Sequence, residues 1–193
     1  MESVKEHDID KLFLQMQREL LKEEKTELIE LQENLAEFRV NGFSISLPIE
    51  FQEAKWAVVK TIFLSKNRPD VILVHSIEPV GFTFQAIDWT GDCMESDLSL
   101  IMKQIQETLK LTDGKQVFYD EGQLNNDVPV VWFDYKSFAI DERIYNIMFL
   151  FMKEGQLVIG TFYCVFKDYE KWKARVLEIL STIKAGEELN ERI

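Results

Sequence analysis

The 193 residues are 46% hydrophobic and 12% aromatic, the balance of a globular domain with a sizeable core and not of a disordered chain. A formal charge of −12 sets most of the surface against phosphate backbones and anionic lipid, so nucleic acid and membrane surfaces are disfavoured as partners. The acidic first residues lack the apolar core of a secretory leader, and no run of about 18 apolar residues occurs; the expectation is a cytoplasmic protein without a membrane span.

Residues Asp8 to Phe38 contain neither Gly nor Pro and are dominated by Leu, Glu, Lys and Gln, which lose little freedom on entering a helix. Leu14, Leu21, Leu28 and Leu35 recur every seven residues, while Gln17 and Glu24 spoil the second line that a zipper needs. The expectation is one long helix or two joined ones over about Asp8 to Phe38, within an acidic helical extension 1–38, packed on its own domain or pairing two copies into a homodimer, followed by one domain over 39–193.

Beyond it the apolar period shortens to two. Phe43, Ile45 and Leu47 alternate with small residues up to Pro48, which ends the strand. Further strands are predicted at about Trp56 to Leu64, Val71 to Ser76 and Gly81 to Ile87. Asp92 and Glu95 have capping-box spacing ahead of Leu98, Ile101, Met102, Ile105 and Leu109, so a helix is expected from Asp92 to Leu111. Three strands follow, at Gln116 to Leu124, Val128 to Ala139 and Arg143 to Met152. Lys153-Glu-Gly-Gln156 reads as a tight turn with Gly155 at positive φ, leading into a strand from Leu157 to Phe166. Both members of this hairpin are apolar on both faces, which places them inside a sheet covered on each side. A final helix, Asp168 to Lys184, carries Trp172, Val176, Ile179, Leu180 and Ile183 on one face. The tail GEELNERI is polar and expected to fray. Hairpin-length connections favour antiparallel pairing. The fold class is α+β, a three-layer α/β/α sandwich on a mostly antiparallel twisted sheet, plus the N-terminal helix.

Chemistry is sparse. The glycines form no phosphate loop, the two histidines cannot share a metal, and Cys93 and Cys164 lack metal or redox spacing and read as reduced thiols in or near the core. A nucleophile built from either cysteine, His75 and an Asp has no support in the spacing, and His75, at a strand end, reads as a structural histidine. No catalytic, cofactor or metal residue is assigned. Phe82, Phe84 and Trp89 around one strand and Trp132 on another could line a peptide-binding sheet face, although core is the ordinary place for such rings. In FLSKNRPDVILVHS, Pro69 forces Arg68 to be extended, so the charged island reads as a connection between strands, with Arg68 the displayed cation that an acidic partner could meet.

Three features carry a resemblance. The opening FSISLPIEFQEA is a strand closed by Pro with an aromatic, Phe51, shortly after; FLSKNRPDVILV joins two strands; and KEGQLVIGTFYCVFKDYEKWKARVLEILSTI is a hairpin followed by a Trp-bearing helix. Together with the mid-chain helix, this pattern resembles the PsbP-like and DcrB-like proteins over about residues 38–184. The resemblance implies an α/β/α fold and mostly non-enzymatic work: photosystem assembly, binding of a nuclear-transport GTPase, or adaptors in bacterial secretion systems. The expected function is thus a bacterial protein-interaction module, adaptor or chaperone-like, using its sheet face or N-terminal helix. The alternative is a binder of a small molecule or lipid in a cavity between sheet and helices.

Overall fold

The computed structural model describes residues 34–40, 42–55, 59, 68–89, 95–112, 115–139, 141–153 and 155–186. The chain divides into Met1–Ala36 and Glu37–Ile193, and the second unit holds nearly all that is described. In chain order its elements are β1 (Leu35–Val40, entering from the first unit), β2 (Phe43–Pro48), β3 (Phe51–Glu53), β4 (Val71–His75), β5 (Gly81–Asp88), α1 (Glu95–Thr112), β6 (Val117–Leu124), β7 (Val130–Phe138), β8 (Arg143–Lys153) and β9 (Gln156–Val165). A 3-10 turn at Phe166–Asp168 then leads into α2 (Tyr169–Ser181), and β10 (Lys184–Ala185) closes the chain.

Seven strands form one sheet in the order β3-β4-β5-β9-β8-β7-β6, and three form a smaller one, β1-β2-β10. The pairs with recorded register are antiparallel. Alternation along the central strands sorts their side chains between two cores. Tyr145, Ile147, Phe149 and Phe151 of β8 point to the face covered by α2 and the small sheet, where Ile45, Leu47, Trp172, Val176 and Leu180 join them. Met148, Leu150 and Met152 point to the other face and meet Leu98 and Met102 of α1. The unbroken apolar runs of β8 and β9 are therefore explained by burial on both faces.

Gly160 is the narrow point of this packing. It pairs with Phe84 on one side and Phe149 on the other, and the two rings meet edge to face with centroids 5.8 Å apart. A Cβ at Gly160 would overlap the Phe149 ring, so the vacant position is what lets aromatics of β5 and β8 touch across β9.

Several expected boundaries shift. The helix expected over Asp8 to Phe38 lies almost wholly outside the described residues, and its last part, Leu35 to Phe38, is strand: β1 pairs beside β2 across a turn in which Gly42 has φ 84°. Pairing in a sheet has outweighed the helical propensity of these residues. The strand expected over Trp56 to Leu64 has a single described residue, Val59, whose amide bonds the Lys55 carbonyl at 3.1 Å; that is a helical contact and not a ladder. The C-terminal helix stops at Ser181, because the Thr182 hydroxyl donates to the Ile179 carbonyl at 2.7 Å and accepts from the Ser46 amide at 2.8 Å. The chain is thereby turned onto β2, where Lys184 pairs with Ser44. The Asp92 cap, Asn67 and the polar tail from 187 lie outside the described residues.

Gly160→Ala should cost about 1–3 kcal/mol by overpacking, read as a lower urea midpoint with an unchanged slope. Adding Phe149→Leu should return part of the loss; if it deepens the loss instead, the clash is not with that ring.

Candidate interaction rim

Sequence-predicted residues separate sharply on inspection. Phe82, Phe84 and Trp132 are buried at 0%, 2% and 8% exposure, so these three are core and not a displayed face. Phe82 stacks among Phe51, Phe162 and Phe149, and Trp132 lies against Gly122 and under the Lys173 ammonium. Trp89 is half-buried and packs on the α1-side core. Arg68 is half-buried and lines an open hollow of about 290 Å³ with Glu53, Val59, Pro69 and Asp70. Asp70 is exposed, and its carboxylate accepts the Ala86 amide at 2.8 Å, standing in for the ladder partner that β4 no longer supplies there.

His75 and the cysteines do not assemble. The Nδ1 of His75 accepts the amides of Ile77 and Glu78 at 3.2 and 3.0 Å, and its ring meets Phe51 and Trp172 edge to face, which fixes the β4–β5 turn. Cys164 is fully buried. Burial first, and then the nearby acids Asp168 and Glu78, push its thiol up to about 12, so almost no thiolate exists at neutral pH. Cys93 lies outside the described residues. Among the described residues no cluster of three metal-ligating side chains occurs, and no helix is long and apolar enough to cross a membrane.

The structure does assemble a polar knot that spacing alone does not reveal. Between Phe118 and Glu121 the β6–β7 register slips, which strands the Asp120 amide. Asp134, 1% exposed, fills the gap: its carboxylate accepts that amide at 2.6 Å, the Tyr145 hydroxyl at 2.5 Å and the Lys173 ammonium at 2.7 Å. Lys173 also pairs with Asp120. Partial burial works against the charge on Lys173, but its bonds to Asp120 and Asp134 outweigh this and raise its pKa above the ordinary 10.5. Burial, reinforced by the Asp134 bond, drives Tyr145 far up. The knot ties α2 to the edge of the sheet.

A second tie fixes the same end of α2. Glu78 accepts from Lys171 at 2.8 Å and from the Trp172 indole at 3.2 Å. Desolvation opposes its charge, but these two donors prevail and hold its carboxyl below the usual 4.5.

These ties position a rim. The registers Phe51 with His75, Gly81 with Tyr163, Tyr145 with Cys164, Phe138 with Arg143 and Phe118 with Tyr135 bring one end of every strand of the large sheet into a row. At about 4.8 Å between strands the row is roughly 29 Å long. Along it stand Ile49, Ile77, Val117, Tyr119 and Phe138, all large apolar side chains at least 40% exposed. Ile49 and Ile77 occupy neighbouring turns joined by the Ser76 amide on the Glu50 carbonyl at 2.9 Å. At the other half, Phe166 stacks with Tyr119 and with Tyr169, centroids 6.2 and 5.1 Å apart. Beside them Phe138, Ala139, Asp141, Glu142, Arg143, Phe166 and Lys167 line an open hollow of about 500 Å³. Nothing in the spacing of these residues marks them as a site, yet an isolated bulky apolar side chain inside a polar turn, as in SIEP around Ile77, is a readable sign of a surface contact.

No family model matches the chain, and no curated protein matches it. Solved structures do. The cyanobacterial PsbP protein CyanoP of Synechocystis sp. PCC 6803 is similar at TM-score 0.60 and 10% identity, covering 79% of this chain and 92% of its own. LpqN of Mycobacterium tuberculosis, involved in cell envelope biogenesis, is similar at 0.52 and 9%, covering 82% and 95%. The Ran-binding protein Mog1p of Saccharomyces cerevisiae is similar at 0.50 and 10%, covering 79% and 95%. At such identities the likeness is of fold alone; the chain has a PsbP-like α+β fold.

Two outcomes check this geometry. With Cys93→Ser as background, Cys164 should stay unmodified by a thiol reagent at pH 8 in the native protein and react at once in denaturant; rapid native labelling would show an accessible thiolate. Lys173→Met should lose about 2 kcal/mol, the scale of a hydrogen bond to a charged group, in urea titrations. Since the folded pKa of Lys173 is raised, this deficit should hold from neutral pH up to the ordinary lysine value and shrink as pH climbs through the raised one. A deficit that grows there would refute the pairing.

Proposed function

We propose that this chain is a non-enzymatic protein-interaction module, an adaptor or chaperone-like protein, that meets its partner through the rim from Ile49 and Ile77 to Phe138. The observation that carries the reading is that five of the nine exposed large apolar side chains among the described residues stand at one end of the sheet. Turn tips are the part of a fold with least need of such residues for their own stability, and a row of them on a firmly held support is what partner docking uses. The neighbour Mog1p, a Ran-binding protein, supports protein binding as work this fold is put to. The buried thiol of Cys164 and the fully paired Asp134 argue in the same direction, because neither offers a free nucleophile or base. This reading moves the binding surface from the sheet face to the rim. The homodimer expected through the N-terminal helix falls on residues outside the described ones.

The experiment is cross-linking of the full chain in extracts of its source cells, followed by mapping of the linked sites. Cross-links should fall on the rim. The double variant Ile77→Asp, Phe138→Asp should lose that partner while its stability moves by no more than about 0.5 kcal/mol, as exposed substitutions do. Undiminished capture by the variant would remove the rim from the account.

A further inference from the structure

We propose that the hollow between Phe138 and Phe166 takes an acidic segment of a protein partner, seating one bulky apolar side chain of that segment against the two rings. The proposal rests on the rim being an interaction surface and adds the chemistry of what binds there.

Two aromatic rings, Phe138 and Phe166, line the hollow beside charged side chains of both signs. Phe138 is 43% exposed. Lys136 reaches over both rings, its ammonium 4.9 Å from the Phe166 centroid and 5.4 Å from that of Phe138, a geometry that holds the charge in place without neutralising it. Arg143 and Lys167 line the hollow. The chain carries 34 acidic against 22 basic side chains, and Lys110, Lys171 and Lys173 each have a carboxylate partner. Lys136, Arg143 and Lys167 have none among the described residues. An acidic segment would gain these three cations without breaking an existing pair. A basic segment would find only Asp141 and Glu142, and Glu142 already accepts the Arg143 amide at 3.4 Å. Those two carboxylates also set the hollow against a dense polyanion such as nucleic acid, whereas the spaced acids of a peptide can reach the cations and avoid them. The rings supply the apolar seat that turns charge attraction into a fixed pose.

The test uses the full chain, isotope-labelled for amide shifts, and four probes: a twelve-residue Glu/Ser peptide with a central Trp, the same peptide with Ser in place of Trp, a Lys/Ser peptide with the Trp, and a twelve-nucleotide oligothymidylate. The acidic Trp peptide should shift the amides of Phe138, Arg143, Phe166 and Lys167, bind less well as salt rises, and lose about tenfold or more in affinity with Arg143→Glu, Lys167→Glu, a variant whose melting temperature should not move. Equal binding by the Ser peptide would overturn the apolar seat. Shifts of the same amides by the Lys peptide or the oligonucleotide would overturn the acidic partner while leaving the rim standing. Should no probe move these amides although Ile77→Asp, Phe138→Asp still abolishes partner capture, the proposal fails alone; if capture persists as well, the rim fails with it.

Discussion

At Gly160, where β9 passes between Phe84 of β5 and Phe149 of β8, the strand carries no side chain and the two rings close over it. From that contact an aromatic layer spreads through the domain. Phe43 of the small sheet meets Phe84 and Phe151 at 5.5 and 5.0 Å, Phe82 meets Phe162 at 5.0 Å, and Phe162 meets Trp172 of α2 at 5.5 Å. The small sheet, the large sheet and α2 thus share one core, and each further ring depends on the first pair lying close. A core of this kind tolerates little change in volume, and that rigidity is what a surface built from turns requires behind it.

Polar ties turn the rigid core into an oriented rim. Asp134 satisfies the amide freed by the β6–β7 slip and draws Lys173 and Tyr145 to itself, while Glu78 holds Lys171 and the indole of Trp172. Both ties act on the first turns of α2, one from each half of the sheet, so the helix start and the preceding Phe166 are held against the strand ends. Buried carboxylates are costly unless fully paired, and here the pairing spends their chemistry on geometry. The same side chains that could pass for catalytic groups in a sequence are thereby the supports of the surface beside them.

CyanoP, LpqN and Mog1p share the fold with identities of 10% or less, which means that the layered core can be met by very different side chains. In this chain exposed Ile49 and Ile77 sit in turns, and exposed Phe138 ends β7.

Much of the scaffold was written plainly along the chain. The two-sided apolar runs of β8 and β9, the Gly155 turn with φ 78° and the stripes of α1 and α2 were legible because each pattern is local and repeats over several residues. The strands β1, β3 and β10 were not: the residues of β1 favour a helix, three and two residues in β3 and β10 hold too little periodicity, and Lys184 pairs with Ser44, far away along the chain. Aromatic content could not separate core from surface, since Phe82 and Phe138 look alike until the sheet decides which is covered. Nor could spacing show that Asp134 meets Tyr145, Lys173 and the Asp120 amide, because those partners come from three different elements. The sequence by itself determined which segments bury two faces and which bury one; only the tertiary structure decided which apolar side chains remain outside, because exposure depends on neighbours brought together by pairing and not on the residue's own identity.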